Sequence, residues 1–390
     1  MNRSCKVCGS ICDYEGEIKY QYNTKFKGLY YQKILCCPNC QLVFVDNVLS
    51  KKELDYLYTA GDDYTNYSDK NCDVKKDRIE RSALAYHTME SIDLDYKTIL
   101  DVGASDGFFL NYFKTKGKSV MGVETSKFGC LKIKNNYGID VFEGTLESYA
   151  ENVSCEYDLI SLCHVLEHID DLKNFMLKVK KINGRYLYVE VPSLSERIKG
   201  EPFGFFAEEH LNYFTPYSLN RFLQDFGYNN IYMAVDYMQK YKISNGFPMI
   251  RAIYEISENK LSILDPVINS KNLLESYLEF SEREIKKIAA KIDSIPNEIP
   301  IAVWGASFQF ERLLAYTNLQ NKHVAMIIDN SPSKQELSFK LNGNDVKVEA
   351  FNKNKLRLVD YVLISTWNNQ TAIYNQLKDN GFEQKAFLLY

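Results

Sequence analysis

The sequence predicts an α/β protein with a central domain built on a parallel sheet, a cysteine-rich module before it and a smaller α/β domain after it. Three observations carry this. From Thr98 onward short apolar segments alternate with amphipathic ones, a pattern that implies strands with helices on both faces of a sheet. Two C-x-x-C pairs, Cys5-Lys-Val-Cys8 and Cys37-Pro-Asn-Cys40, stand near the start of the chain. Beyond Pro296 and Pro300 a second strand–helix alternation begins.

The first alternation places strands at 98–102, 119–124, 158–162 and 185–191, with 247–256 as a late strand of the same sheet. Residues 262–293 read as charged, amphipathic helix. The second alternation runs through strands at 301–304, 324–329 and 361–365, with helices near 311–316 and 371–380. The expected organisation is therefore a module at 1–50, a helical segment at 51–95, a central domain at 96–258, a helical connector at 259–297 and a last domain at 298–390.

At 390 residues the chain exceeds one ordinary core, and its 45% hydrophobic and 25% charged residues are those of a globular protein. A net charge of −4 without a basic run argues against nucleic acid as a partner. No signal-peptide core and no long apolar stretch is present, so a cytoplasmic protein without a membrane partner, monomeric or homodimeric, is expected. In that setting ten cysteines imply reduced thiols.

Four of them, Cys5, Cys8, Cys37 and Cys40, form two knuckles whose thiolates suit the tetrahedral demand of Zn²⁺. Four protein ligands leave no open position, so the expected metal is structural. Cys12 and Cys36 are spare candidates.

The segment Ile99-Leu-Asp101-Val-Gly103-Ala104-Ser105-Asp106-Gly107-Phe108 is an apolar strand, a small-residue turn and the start of a helix. Gly103 and Gly107 let the backbone pass close to a ligand at the strand's carboxyl end. Asp101 is placed to reach the amino-acid part of a cofactor, and Glu124, ending the next strand, to accept from ribose hydroxyls. Ser105 replaces the middle glycine of the dinucleotide fingerprint, which favours S-adenosylmethionine over NAD. Thr145 and Leu146 are expected along the adenine, and the loop from His164 to His168 over the cofactor.

With these motifs the chain resembles the class I methyltransferases, Asp101-Val-Gly and His164-Val-Leu-Glu-His168 matching the first motif and the one after the fourth strand. It is most similar to the three-domain C-methyltransferases of nucleotide-linked deoxysugars, which join a zinc module, a Rossmann-like methyltransferase domain and a smaller C-terminal Rossmann-like domain. The double C-x-x-C, the Ser105-Asp-Gly107 turn, Glu209-His210 followed by Tyr213-Phe214, and Val303-Trp-Gly-Ala306 carry that resemblance. It implies that His210 is the base that removes a proton beside a sugar ketone, with Glu209 assisting and His168 as a second active-site histidine.

The chain departs from this pattern at His164, where the family usually carries asparagine, and at Ala207, where it commonly places a tyrosine. Tyr64 or Tyr67 is the candidate replacement for that phenol. Flanking acids are expected to raise the pKa of His210. Thr215 is the expected N-cap of the following helix, with Ser218 in its first turn. In the last domain the turn at Gly305 and the acid Asp329 form a second nucleotide-binding pattern, which the resemblance assigns to the substrate's nucleotide.

The expected activity is methyl transfer from S-adenosylmethionine to a nucleotide-activated keto sugar at carbon. A sugar O-methyltransferase acting on a polysaccharide precursor, and a non-catalytic subunit that binds S-adenosylmethionine, are the alternatives.

Overall fold

The computed structural model describes residues 3–21, 29–46, 50, 72–152, 156–196, 198, 201–237, 247–259, 261, 268–332 and 334–390. Tyr64 and Tyr67 lie outside the described residues. The chain forms two compact units. The first comprises Met1–Glu15, Ile34–Ile198 and Ala207–Leu274; the second comprises Gly16–Lys33, Lys199–Phe206 and Glu275–Tyr390.

The N-terminal strands are β1 (Arg3–Ser4), β2 (Ile11–Gln21), β3 (Leu29–Cys36) and β4 (Val43–Val45). Then come α1 (Cys72–Ser91), β5 (Thr98–Val102), α2 (Phe108–Thr115), β6 (Ser119–Glu124), α3 (Lys127–Tyr137), β7 (Val141–Glu143), α4 (Leu146–Asn152), β8 (Leu159–Cys163), α5 (Leu172–Ile182) and β9 (Tyr186–Pro192). The first unit is completed by β10 (Asn212–Tyr213), α6 (Pro216–Gln224), β11 (Tyr228–Tyr237) and β12 (Pro248–Ile256).

Seven strands make the central sheet in the order β11-β12-β9-β8-β5-β6-β7. Strands β5 to β9 run parallel, as the alternation predicts. The sheet as a whole is mixed, not parallel. The late strand β12 lies antiparallel to β9 and carries on its other side the unforeseen β11, also antiparallel to it. Tyr228-Asn-Asn-Ile-Tyr mixes polar and apolar side chains because its edge position needs only one apolar face, so its sequence did not read as a strand. Strand β7 was also missed, being only Val141-Phe-Glu143.

Local sequence explains the helices. Helix α5 buries Leu172, Phe175, Met176, Val179 and Ile182 along one face, and the Asp171 carboxylate caps it by accepting from Asn174 N. Helix α6 starts as expected: Thr215 Oγ1 accepts from Ser218 N at 3.1 Å, and Ser218 Oγ accepts from Thr215 N at 2.9 Å.

The cysteine module is a sheet in the order β1-β2-β3-β4-β10. Its Val7, Leu35, Leu42 and Phe44 join the same buried cluster as Leu100, Leu162 and Val191 of the central sheet.

The second unit contains most of α7 (Ser270–Asp293), followed by β13 (Ile301–Trp304), α8 (Phe308–Tyr316), β14 (Val324–Ile328), β15 (Ser338–Leu341), β16 (Asn344–Glu349), β17 (Tyr361–Ile364), α9 (Gln370–Asp379) and β18 (Ala386–Leu388). Its sheet order is β15-β16-β14-β13-β17-β18, parallel except for the hairpin β15–β16, which the sequence analysis missed together with β18. Segment 201–206 is bound into this unit. Tyr20 OH donates to Phe206 O at 2.8 Å, and Arg312 donates to Glu201 at 3.2 Å. The Phe203 and Tyr316 rings stack 4.7 Å apart. Among the described residues no helix is long and apolar enough to cross a membrane.

Candidate active site

In the central sheet β6 lies on one side of β5 and β8 on the other, and this reversal opens a crevice at their carboxyl ends. The turn after β5 occupies it. Gly103, Ser105 and Gly107 have φ of 72°, 52° and 78°, a left-handed path natural to glycine but not to serine. A Cβ on Gly107 would sit 2.8 Å from Ile133 Cγ1 of α3. Gly107→Ala is therefore expected to destabilise the first unit by about 1–3 kcal/mol, read as a lower Tm in a thermal melt.

Glu124 holds this turn. Its Oε2 accepts from Ser105 N at 2.7 Å and its Oε1 from Ser126 N at 2.8 Å. Oε1 also accepts from Thr125 Oγ1 at 3.4 Å, so Oε2 is the oxygen that retains a lone pair for a ligand hydroxyl. Asp101 is buried, and among the described residues its Oδ1 has no hydrogen-bond partner. Burial pushes its carboxyl up to about 7, with the Glu124 charge adding to the effect and the Ser161 hydroxyl opposing it. An orphaned polar atom at a strand's carboxyl end is the mark of a missing polar ligand. Helix α1 adds Arg78, which pairs with Asp106 and donates to Ser105 Oγ at 3.4 Å. Ala104 is buried within the turn. Thr145 caps α4, its hydroxyl accepting from Ser148 N at 3.3 Å, and Leu146 is buried in the unit's core.

The structure brings His168 and His210 together, 42 residues apart in sequence, with ring centroids 4.8 Å apart. Backbone pairing builds this contact. Leu211 N donates to Glu167 O at 2.6 Å, and Leu211 O accepts from Val45 N of β4 at 3.0 Å. Asn212, fully buried, donates to the carbonyls of Leu166 and Ile169. Glu209 enters the cluster through its main chain, its carbonyl lying 3.1 Å from His168 Nδ1. Tyr213 OH donates to His210 O at 3.1 Å and closes the loop.

The expected rise in the His210 pKa is overturned. Burial strips water from the imidazolium and the His168 ring repels a second positive charge, so the pKa falls to about 4, with Glu209 and Glu167 opposing only in part. His210 Nδ1 is buried, with no partner among the described residues. Neutral imidazole with an open nitrogen is the form that accepts a proton.

The four expected cysteines also converge. Cys5 Sγ lies 3.5 Å from Cys40 Sγ and Cys8 Sγ 3.4 Å from Cys37 Sγ, and all four sulfurs fall within 4.8 Å of one another. These spacings are too long for disulfides and fit a tetrahedron of Zn–S bonds of about 2.3 Å. Cys12 and Cys36 are buried but stand outside this set.

Residues 74–233 match the family described as "Methyltransferase domain", and residues 271–389 match the "C-methyltransferase C-terminal domain". The protein is an S-adenosylmethionine-dependent methyltransferase of the class I fold. The methyltransferase is 22% identical over 374 residues to the C-methyltransferase NovU of Streptomyces niveus, covering 89% of this chain and 82% of that one. Among solved structures, a 1,6-didemethyltoxoflavin-N1-methyltransferase of Burkholderia thailandensis is 13% identical with a TM-score of 0.42, covering 62% of this chain and 100% of its own. An S-adenosylmethionine-dependent methyltransferase of Clostridium acetobutylicum is 15% identical with a TM-score of 0.39, covering 50% and 98%. At these scores neither structure bears on the chemistry.

Beneath the site of the methyltransferase runs a buried ionic network absent from the sequence reading. Glu190 of β9 accepts from Arg81 of α1 at 2.9 Å through Oε1, and from Arg251 of β12 and the Tyr188 hydroxyl at 3.2 and 3.0 Å through Oε2. Arg251 also pairs with Asp236. Burial alone would raise the Glu190 pKa, but the Arg81 charge, the His164 hydrogen bond and the Arg251 charge hold it well below the carboxylate range. His164, with φ of 55°, directs its side chain into this network, contacting Arg81, Glu190 and Glu167. One sequence signal was available: Glu190 is the single charge in the apolar run Tyr186-Leu-Tyr-Val-Glu-Val-Pro192.

In the second unit Gly305, with φ of 116°, turns after β13, and Ala306 N donates to Asp329 Oδ2 at 2.9 Å. Ser307 Oγ and Thr366 Oγ1 are buried there without partners among the described residues.

Proposed function

We propose that the methyltransferase transfers a methyl group from S-adenosylmethionine to the carbon beside the ketone of a nucleotide-activated sugar, with His210 as the base. The observation that carries this is His210, whose buried Nδ1 has no partner among the described residues and whose ring lies 4.8 Å from that of His168, with burial lowering its pKa to about 4. Carbon at that position is nucleophilic only after losing a proton, so C-methylation needs such a base. The C-methyltransferase C-terminal domain at residues 271–389 favours carbon as the acceptor.

Asp101, the 103–107 turn and Glu124 are the residues that would hold S-adenosylmethionine: the orphaned Asp101 oxygen for its amino group, the glycines for close approach, and Glu124 for the ribose. When bound, the cofactor supplies an electrophilic methyl group. His210 takes the proton from the substrate carbon, and His168 stands beside it to donate a hydrogen bond to the enolate oxygen. Zn²⁺ at Cys5, Cys8, Cys37 and Cys40 is structural, since four thiolates fill its coordination.

The test is incubation with a panel of nucleotide 4-keto sugars and isotopically labelled S-adenosylmethionine, followed by NMR of the product. A new carbon–carbon bond is expected. A methyl ether, or no turnover on any keto sugar, rejects the carbon reading.

A further inference from the structure

Glu167 is a residue to which neither the sequence motifs nor the family matches give a role. It is 1% exposed and reaches three histidines. Its Oε1 lies 2.9 Å from His164 Nδ1, while among the described residues Oε2 has no partner. A carboxylate oxygen, a His168 nitrogen and a His210 nitrogen all lie within 4.8 Å of one another. Its backbone carbonyl accepts from Leu211 N, so the same residue fixes the chain next to His210. A buried carboxylate within 4.8 Å of two imidazoles, with one of its oxygens unpartnered, is an arrangement that stabilises a transient imidazolium.

We propose that Glu167 is the positioning carboxylate of the base: it stays ionised and balances the charge His210 acquires on taking the substrate's proton. This rests on the base reading above. In the step, the carbon–hydrogen bond beside the ketone breaks, its electron pair forms the enolate, and its proton goes to His210. Glu167 takes no proton.

The surroundings support a fixed charge there. Burial alone would raise the Glu167 pKa, but the hydrogen bond and charge of His164, with His168 and His210 beyond, hold it at about 2. Among the described residues, charged groups around the cluster include Glu208 and Glu209, next to His210 in the chain, and Arg81 and Glu190, which engage His164 from the far side. For His164, burial and Arg81 oppose protonation, yet the bonds to Glu167 and Glu190 raise its pKa above the ordinary value. Glu167 thus lies between a histidine that favours its proton and one that lacks it, the separation by which a site assigns acid and base roles.

Glu167→Gln tests this, because glutamine keeps the shape and the acceptor for His164 and removes only the charge. The expected result is a kcat at least about tenfold lower with KM for S-adenosylmethionine within about twofold of wild type. A substrate-free readout is histidine NMR, in which the His164 titration midpoint is expected to fall by about one unit or more. Wild-type kcat in this variant overturns the proposal, whatever the NMR shows. An unmoved His164 midpoint overturns it as well. If Glu167→Gln folds poorly, Glu167→Asp keeps the charge and is expected to recover most of the lost rate; equal loss in both variants rejects the role. Should the wild-type product be a methyl ether, the carbon reading fails alone, since the rate loss and the shifted midpoint are read independently of the acceptor atom.

Discussion

His210→Asn is expected to lower kcat by roughly 10²–10⁴-fold, the usual worth of a positioned general base, while binding of S-adenosylmethionine stays near wild type. The separation follows from geometry. His210 belongs to the cluster with His168 and Glu167, whereas the cofactor turn is held by Glu124, which accepts from Ser105 and Ser126. Calorimetric titration with S-adenosylmethionine and steady-state kinetics read the two effects separately.

The pH profile adds a sharper check. As the proposed base His210 has to be unprotonated, and a pKa lowered to about 4 leaves it so throughout the neutral range. The acid limb of kcat/KM is therefore expected near pH 4, not near the ordinary histidine value of about 6.5. A limb at 6.5 would show that His210 is hydrated and not the base described here. Stability follows the same sign. The unfolded histidine binds a proton between about pH 6.5 and 4 where the folded one does not, so the His210 contribution is present above 6.5 and is lost as pH falls toward 4.

The second large effect is expected at the cysteine cluster. Removing Zn²⁺ with a chelator, or replacing Cys37 by serine, is expected to release one metal per chain and unfold the N-terminal module. Structural zinc in small domains supplies about 10–16 kcal/mol of binding energy at neutral pH. The effect should reach the active site, because Val45 of the module donates to Leu211 beside His210 and β4 pairs with β10. Metal analysis, a thermal melt and activity should then change together. Full activity in a metal-free protein would reject the assignment.

Much of this was legible in residue order. The turn at Gly103 and Gly107 requires glycine for local conformational reasons, and the module's cysteines come as two C-x-x-C pairs. Thr215-Pro-Tyr-Ser218 caps a helix with its own side chains. Each of these features is short in range, so spacing alone carries it. The placement of β12 between β9 and β11 was not legible, because an apolar strand does not name its neighbours.

Sequence by itself determined the α/β class, the glycine turn, the acids at 101 and 124 on either side of it and the paired cysteines of this methyltransferase, all of which rest on local pattern and spacing. Only the tertiary structure set the direction of the His210 pKa. Acids adjoin His210 in the chain and argue for a raised pKa, but burial and the ring of His168 reverse the sign. It also decided that Glu167, Arg81, Glu190 and Arg251 form one buried charge network. Desolvation and Coulomb energies depend on distance through space, and these groups come from four separate segments of the chain.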